Sequence, residues 1–246
     1  MIKILKFPQD RETIRTVVSK AEIASLLVPS VQDAMIAEIC NDAKTYGTAG
    51  VLATAALCPK VSAALKGAEV RAVCIYSLIY SPDENYDCKI FGIKDVIKSG
   101  VKDFDLGVPA GVVHDKDFAR IEKDFSGMAD VIKQSSGHIG LVLETELFSY
   151  EEQMTLGKIA INAGADYVRI CSGMEQLCGI NGGRATLQSI CFLKDRFGDT
   201  IKIKAGGGWD YAYLEDCYAY IQSGADRVDA GSRFIKQLKD MNYGGK

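Results

Sequence analysis

Residues 163–173 read Ala163-Gly164-Ala165-Asp166-Tyr167-Val168-Arg169-Ile170-Cys171-Ser172-Gly173. Gly164 suits the left-handed close of a helix, and the apolar alternation that follows at once is a short strand. The same joint recurs at Ser99-Gly100-Val101-Lys102-Asp103 and at Ser223-Gly224-Ala225-Asp226. Outward from these joints, Val- and Ile-rich runs predict strands at 23–28, 50–54, 70–77, 103–108, 138–144, 166–171, 201–205 and 227–230. Amphipathic stretches at 31–46, 87–99, 117–134, 150–163, 185–197 and 211–223 lie between them. Strands apolar on both faces belong to a parallel sheet covered by helices. An open doubly wound sheet would satisfy that pattern too, but eight strand–helix units favour an eight-stranded parallel (β/α)8 TIM barrel. No Pro- or Ser-rich linker divides the chain, so residues 1–246 are expected to form one domain. About the first twenty residues read as a short helical extension, with an amphipathic helix over 10–20.

Composition narrows the function. Lys and Arg number 29 against 32 Asp and Glu, a formal charge of −3, which leaves no basic field for nucleic acid. Apolar runs such as 50–56 and 70–79 are far shorter than the ~18 to 20 residues of a membrane span. The start, Met1-Ile2-Lys3-Ile4-Leu5-Lys6-Phe7-Pro8, is too short and too charged for a signal peptide, so a cytoplasmic protein is expected. Eight cysteines without a C-x-x-C pair, and only two histidines, give no zinc pattern. Neither a metal nor another cofactor is expected.

In a barrel of this kind the C-terminal strand ends carry the chemistry. Asp105, Glu144, Arg169 and Lys204 fall there and are expected to form one ionic network, because inward charges are costly unless paired. Lys202 and Lys204 share one face of the seventh strand, opposite Ile201, Ile203 and Ala205. Gly206-Gly207-Gly208 follows the seventh strand and Gly231-Ser232-Arg233 the eighth. Glycine amides backed by a helix N-terminus form a phosphate cradle, which Gly173 would extend. These residues predict a phosphorylated small-molecule substrate. A structural ion cluster without turnover is the competing reading of the charges.

Leu141-Val142-Leu143-Glu144-Thr145, Ala163-Gly164-Ala165-Asp166-Tyr167-Val168 with Ser172-Gly173, Lys202-Ile203-Lys204-Ala205-Gly206-Gly207 and Gly224-Ala225-Asp226-Arg227-Val228, in this order, resemble the deoxyribose-phosphate aldolase family of class I aldolase barrels. Lys89 and Asp105 also fall on family positions. The resemblance implies an imine-forming lysine on the sixth strand, a second lysine on the seventh that lowers its pKa, and a strand-four aspartate that moves protons. Here Lys204 matches the second lysine and Asp105 the aspartate, while Arg169 occupies the nucleophile's position. Arginine keeps its proton and offers no free amine. The aspartate expected near the first strand is absent from 23–28, Ala56 stands for the second strand's cysteine, and residues 175–181 lengthen the loop after strand six. The resemblance also implies that the tail Tyr243-Gly244-Gly245-Lys246 lies near the phosphate.

Three readings follow. In the first, Lys204 forms the imine, Arg169 depresses its pKa and Asp105 shuttles the proton. In the second, a sugar-phosphate lyase or isomerase works without an imine, Arg169 and Lys204 stabilising an oxyanion with Asp105 or Glu144 as base. In the third, the barrel binds a phosphorylated metabolite without turnover. Homo-oligomerisation stays open.

Overall fold

The computed structural model describes residues 7–28, 30–77, 85–173, 183, 185–207 and 212–244. Eight parallel strands pair in chain order and close on themselves. They are β1 (Ala21–Ile23), β2 (Gly50–Thr54), β3 (Arg71–Tyr76), β4 (Asp103–Leu106), β5 (His138–Val142), β6 (Tyr167–Arg169), β7 (Lys202–Ala205) and β8 (Arg227–Ala230). Helix α1 (Arg11–Lys20) precedes the barrel. The others described are α2 (Asp33–Tyr46), α3 (Cys58–Ala64), α4 (Tyr86–Lys98), α5 (Ala110–His114), α6 (Phe118–Gln134), α7 (Tyr150–Asn162), α8 (Leu187–Phe197), α9 (Leu214–Gln222) and α10 (Ser232–Asp240). This is the (β/α)8 barrel that the strand–helix alternation predicts. Helices α3, α5 and α10 are additions to the sequence reading. No helix among the described residues is long and apolar enough to cross a membrane.

The repeated joint has a physical task at each of its positions. Gly164 and Gly224 take positive φ (68° and 113°), which ends α7 and α9 at little steric cost. The buried or half-buried alanine that follows leads to an aspartate that reaches the neighbouring strand. Asp166 Oδ2 accepts the Ile139 N–H (2.9 Å), and Asp226 Oδ2 accepts the Ile203 N–H (3.0 Å). Each Gly-Ala-Asp therefore stops a helix and ties two strands together at the barrel's lower rim.

One strand departs from expectation. The first was placed at 23–28, but β1 begins two residues earlier and ends at Ile23. Beyond Ala24 the chain turns, with the Leu27 N–H donating back to the Ala24 carbonyl (3.1 Å). The apolar residues after Ile23 thus fill space instead of extending the ladder. This shift brings Glu22 into the strand, level with Gly50 of β2 and Asp229 of β8.

Two apolar layers result. Val168, Ile170, Ile203, Val228 and Ala230 belong to the large core with the helices. Ala24, Leu27, Leu52, Val73 and Ile75 form a separate cluster, on the inward faces of the first three strand units. Helix α1 is capped by Asp10, whose carboxylate accepts the Thr13 N–H (2.8 Å), and it buries Ile14, Val17 and Val18. Tyr243 stands 6.4 Å from the Tyr46 ring at the C-terminal end of α2, and Arg11 donates to the Gly244 carbonyl (3.5 Å). Of the tail expected beside a phosphate, only Tyr243 and Gly244 are described; Gly245 and Lys246 are outside the described residues.

Candidate active site

Strand alternation decides which polar side chains enter the barrel. Val168 of β6, Ile203 of β7 and Val228 of β8 pack outward, which turns Tyr167, Arg169, Lys204 and Asp229 inward. Register sets them level: Arg169 pairs with Lys204, and Asp105 of β4 lies opposite Gly140 of β5. A Cβ at Gly140 would stand 2.4 Å from Asp105 Oδ1, so the missing side chain is what leaves the carboxylate room.

Lys204 is the hub. Its Nζ lies 3.0 and 3.2 Å from Asp105 Oδ1 and Oδ2, and 3.3 Å from Glu22 Oε1. It also sits 4.8 Å from the centroid of the Tyr167 ring, a cation–π contact. Arg169 is clamped from two sides. Nη1 donates to Asp105 Oδ2 (3.3 Å), Nη2 donates to Asp229 Oδ2, and Nε donates to the Cys171 carbonyl (3.1 Å). Asp229 Oδ2 also accepts the Gly207 N–H (3.0 Å). The side chains of all five charged residues are at most 4% exposed. Such a cluster is expensive to desolvate and is held only by mutual pairing.

The electrostatics correct one expectation. Arg169 was expected to press the Lys204 amine toward neutrality. Burial does disfavour the Lys204 ammonium, and Arg169 acts in the same direction, but Asp105 and Glu22 outweigh both, so its pKa is raised. Arg169 behaves alike: burial opposes its charge, and Asp229, Asp105 and Glu22 more than restore it. Burial pushes the Asp229 carboxyl up to about 6 against the pull of Arg169.

Of the four residues expected to form one network, the structure joins Asp105, Arg169 and Lys204. Glu144 is set differently. It lies two residues beyond β5 with φ 43°, and its Oε2 accepts the Ser172 N–H (3.0 Å) at the start of the loop after β6. This contact ties Glu144 to the loop after β6. Glu22 and Asp229 are the members the sequence reading missed. Asp229 was accessible through the same alternation that singled out Lys204, since Arg227 and Asp229 share a face; Glu22 was hidden by the misplaced first strand.

The glycine rim lies where β7 and β8 leave the barrel side by side. Gly206 fits a close packing contact: a Cβ there would meet the Cys171 carbonyl at 2.3 Å and Arg169 Nε at 2.8 Å. Gly207 takes φ 88° and Gly173 φ 86°. Gly231 precedes α10, so Ser232 opens a helix whose N-terminal amides favour an anion. Arg233 is exposed, and its Nη1 donates to Tyr213 Oη (3.3 Å). Gly208 and residues 175–181 fall outside the described residues. Lys89, near the start of α4, is buried.

Fold and centre together define a (β/α)8 barrel with a charged interior at the C-terminal ends of its strands, the position where such barrels carry their chemistry. No family model matches the chain. Its sequence is nonetheless similar to curated proteins named deoxyribose-phosphate aldolase. The enzyme of that name from Clostridium perfringens is 28% identical over 208 residues, covering 85% of this chain and 88% of its own. That from Staphylococcus carnosus is 29% identical over 223 residues, covering 89% and 96%. Among solved structures, the tetrameric deoxyribose phosphate aldolase from Aeropyrum pernix superposes with a TM-score of 0.78 at 16% identity, over 96% of this chain and 99% of that one. At that identity the likeness speaks for the fold.

Proposed function

We propose that this protein is an aldolase-type carbon–carbon lyase for a phosphorylated sugar or aldehyde, with Lys204 as the imine-forming amine and no cofactor. The observation that carries the reading is the Lys204 Nζ, inside the barrel and within 3.0–3.3 Å of two carboxylates. An amine attacks a carbonyl only after losing its proton, and those carboxylates are positioned to receive it. Asp105 is the strand-four acid that the resemblance implies. Arg169 cannot attack, but as a fixed cation it offers electrostatic stabilisation where negative charge develops. The amides of Gly173, Gly206 and Gly231, the Ser232 hydroxyl, the α10 N-terminus and Arg233 make up the rim assigned to the substrate phosphate, with Gly207 shaping the rim while its own N–H is held by Asp229 Oδ2. The names of the curated relatives suggest deoxyribose phosphate as the first substrate to try.

The test is borohydride reduction in the presence of that sugar phosphate, followed by peptide mass mapping. A reduced adduct on Lys204, with release of an aldehyde in the untreated reaction, is expected. Turnover without any adduct would replace the imine by a non-covalent lyase, in which Lys204 and Arg169 stay charged and stabilise an oxyanion. The raised pKa of Lys204 favours this second reading.

A further inference from the structure

Asp105 and Glu22 both touch Lys204, but their surroundings differ. Asp105 Oδ2 accepts from Arg169 Nη1 as well as from Lys204, so this carboxylate is shared between two cations. A proton placed on it would displace or weaken the contact with a guanidinium that stays charged. Glu22 makes no ion pair with Arg169 among the described residues. Its Oε1 faces Lys204 Nζ at 3.3 Å and its Oε2 is buried without a hydrogen-bond partner; Asp105 Oδ1 also lacks one but lies 3.0 Å from Lys204 Nζ, so the difference between the two acids is the Arg169 contact to Asp105. A buried carboxylate oxygen left bare is costly. The cost is relieved if the group takes up a proton, or if a ligand brings a donor.

We infer that Glu22 is a further catalytic residue, the acceptor that takes the Lys204 proton before attack and returns it to the departing hydroxyl. The inference rests on Lys204 forming an imine. In the step, an Nζ–H bond breaks and a Glu22 O–H bond forms, leaving a neutral amine and a neutral carboxyl. The amine lone pair then attacks the carbonyl carbon as the C=O π pair moves to oxygen, and one N–H proton passes from the new ammonium to that alkoxide, giving a neutral carbinolamine. Glu22 protonates the carbinolamine hydroxyl, which leaves as water, and the products are an iminium on Lys204 and a Glu22 carboxylate. Charge balances, since an ammonium–carboxylate pair becomes an iminium–carboxylate pair. The neutral intermediate is the form that a water-poor interior penalises least. The bare Oε2 gives the carboxyl a second site from which to hand the proton on.

The experiment measures the rate of borohydride trapping on Lys204 with propanal, which carries no phosphate and so leaves the glycine rim out of the reading. In Glu22→Gln, trapping near neutral pH is expected to fall about 100-fold. A role limited to holding the ammonium predicts the opposite: losing the negative charge would ease deprotonation, and trapping would stay level or quicken. That result overturns the inference. In Glu22→Ala, added formate is expected to restore part of the trapping rate, and absence of rescue counts against the transfer. If Glu22→Gln melts below the assay temperature by circular dichroism, Glu22→Asp decides. Slower trapping with the charge retained supports the role, and wild-type speed refutes it. An adduct that survives unchanged in the variants removes the inference alone. No adduct in the wild-type protein removes the Lys204 imine and this step together.

Discussion

The barrel interior is divided between two chemistries. Around Ala24, Leu52, Val73 and Ile75 the inward faces of β2, β3 and the chain just after β1 close on one another as hydrocarbon. Around Asp105, Arg169, Lys204, Asp229 and Glu22 the same kind of inward position holds charge. The first sector is stabilised by burial, with each large side chain contributing about 1.5–3 kcal/mol. The second begins with a desolvation penalty that its own pairings must offset. A barrel needs only the first kind of filling to be stable, so the second marks where substrate chemistry is to be sought.

Breaking the charged sector gives the largest expected effect. Arg169→Met leaves Asp105 and Asp229 buried without their shared cation, and urea unfolding is expected to show a loss of about 3–5 kcal/mol. In the apolar sector Leu52→Ala should cost about 2–4 kcal/mol by the same measurement, while activity per folded molecule persists. If Leu52→Ala abolished turnover in the folded fraction, the functional contrast between the sectors would fail. Gly206→Ala sharpens the boundary, because the new methyl group meets the Cys171 carbonyl and Arg169 Nε. A loss of about 1–3 kcal/mol is expected, together with reduced turnover as Arg169 is pushed off its clamp.

The smallest effect is one of pH. Asp229 has a folded pKa of about 6 against 3.8 for the free group. In the window between these values the folded chain holds a proton that the unfolded chain has released. The contribution of this group is therefore full below 3.8 and is lost as pH rises through about 6. Denaturation across this range should show the wild type losing stability relative to Asp229→Asn as pH rises. A flat difference between the two proteins would refute the raised value.

The architecture was legible because the helix–glycine–strand joint repeats, and because each strand carries its apolar residues at the period the fold requires. Lys204 and Asp105 were legible for the same reason: alternation places them inward. Glu22 was not, because the apolar run after it imitates a strand while hydrogen bonding makes it a turn. The partnership of Arg169 with Asp229 was equally hidden. It depends on β6 and β8 flanking β7, a next-but-one strand relation that local pattern does not encode. Glu144 was legible as a polar residue at a strand end, but its left-handed backbone and its bond to the Ser172 N–H were not.

One guanidinium draws together a carboxylate 64 residues before it and another 60 residues after it. A chain cut between β4 and β5 would therefore leave the first fragment with two uncompensated acids, Glu22 and Asp105, and the second with Arg169, Lys204 and Asp229, an excess of one positive charge. Neither fragment could neutralise its own centre. The two should recognise each other when mixed, and in the intact chain the ionic centre should be among the last parts to consolidate, after the ring of strands has joined its ends.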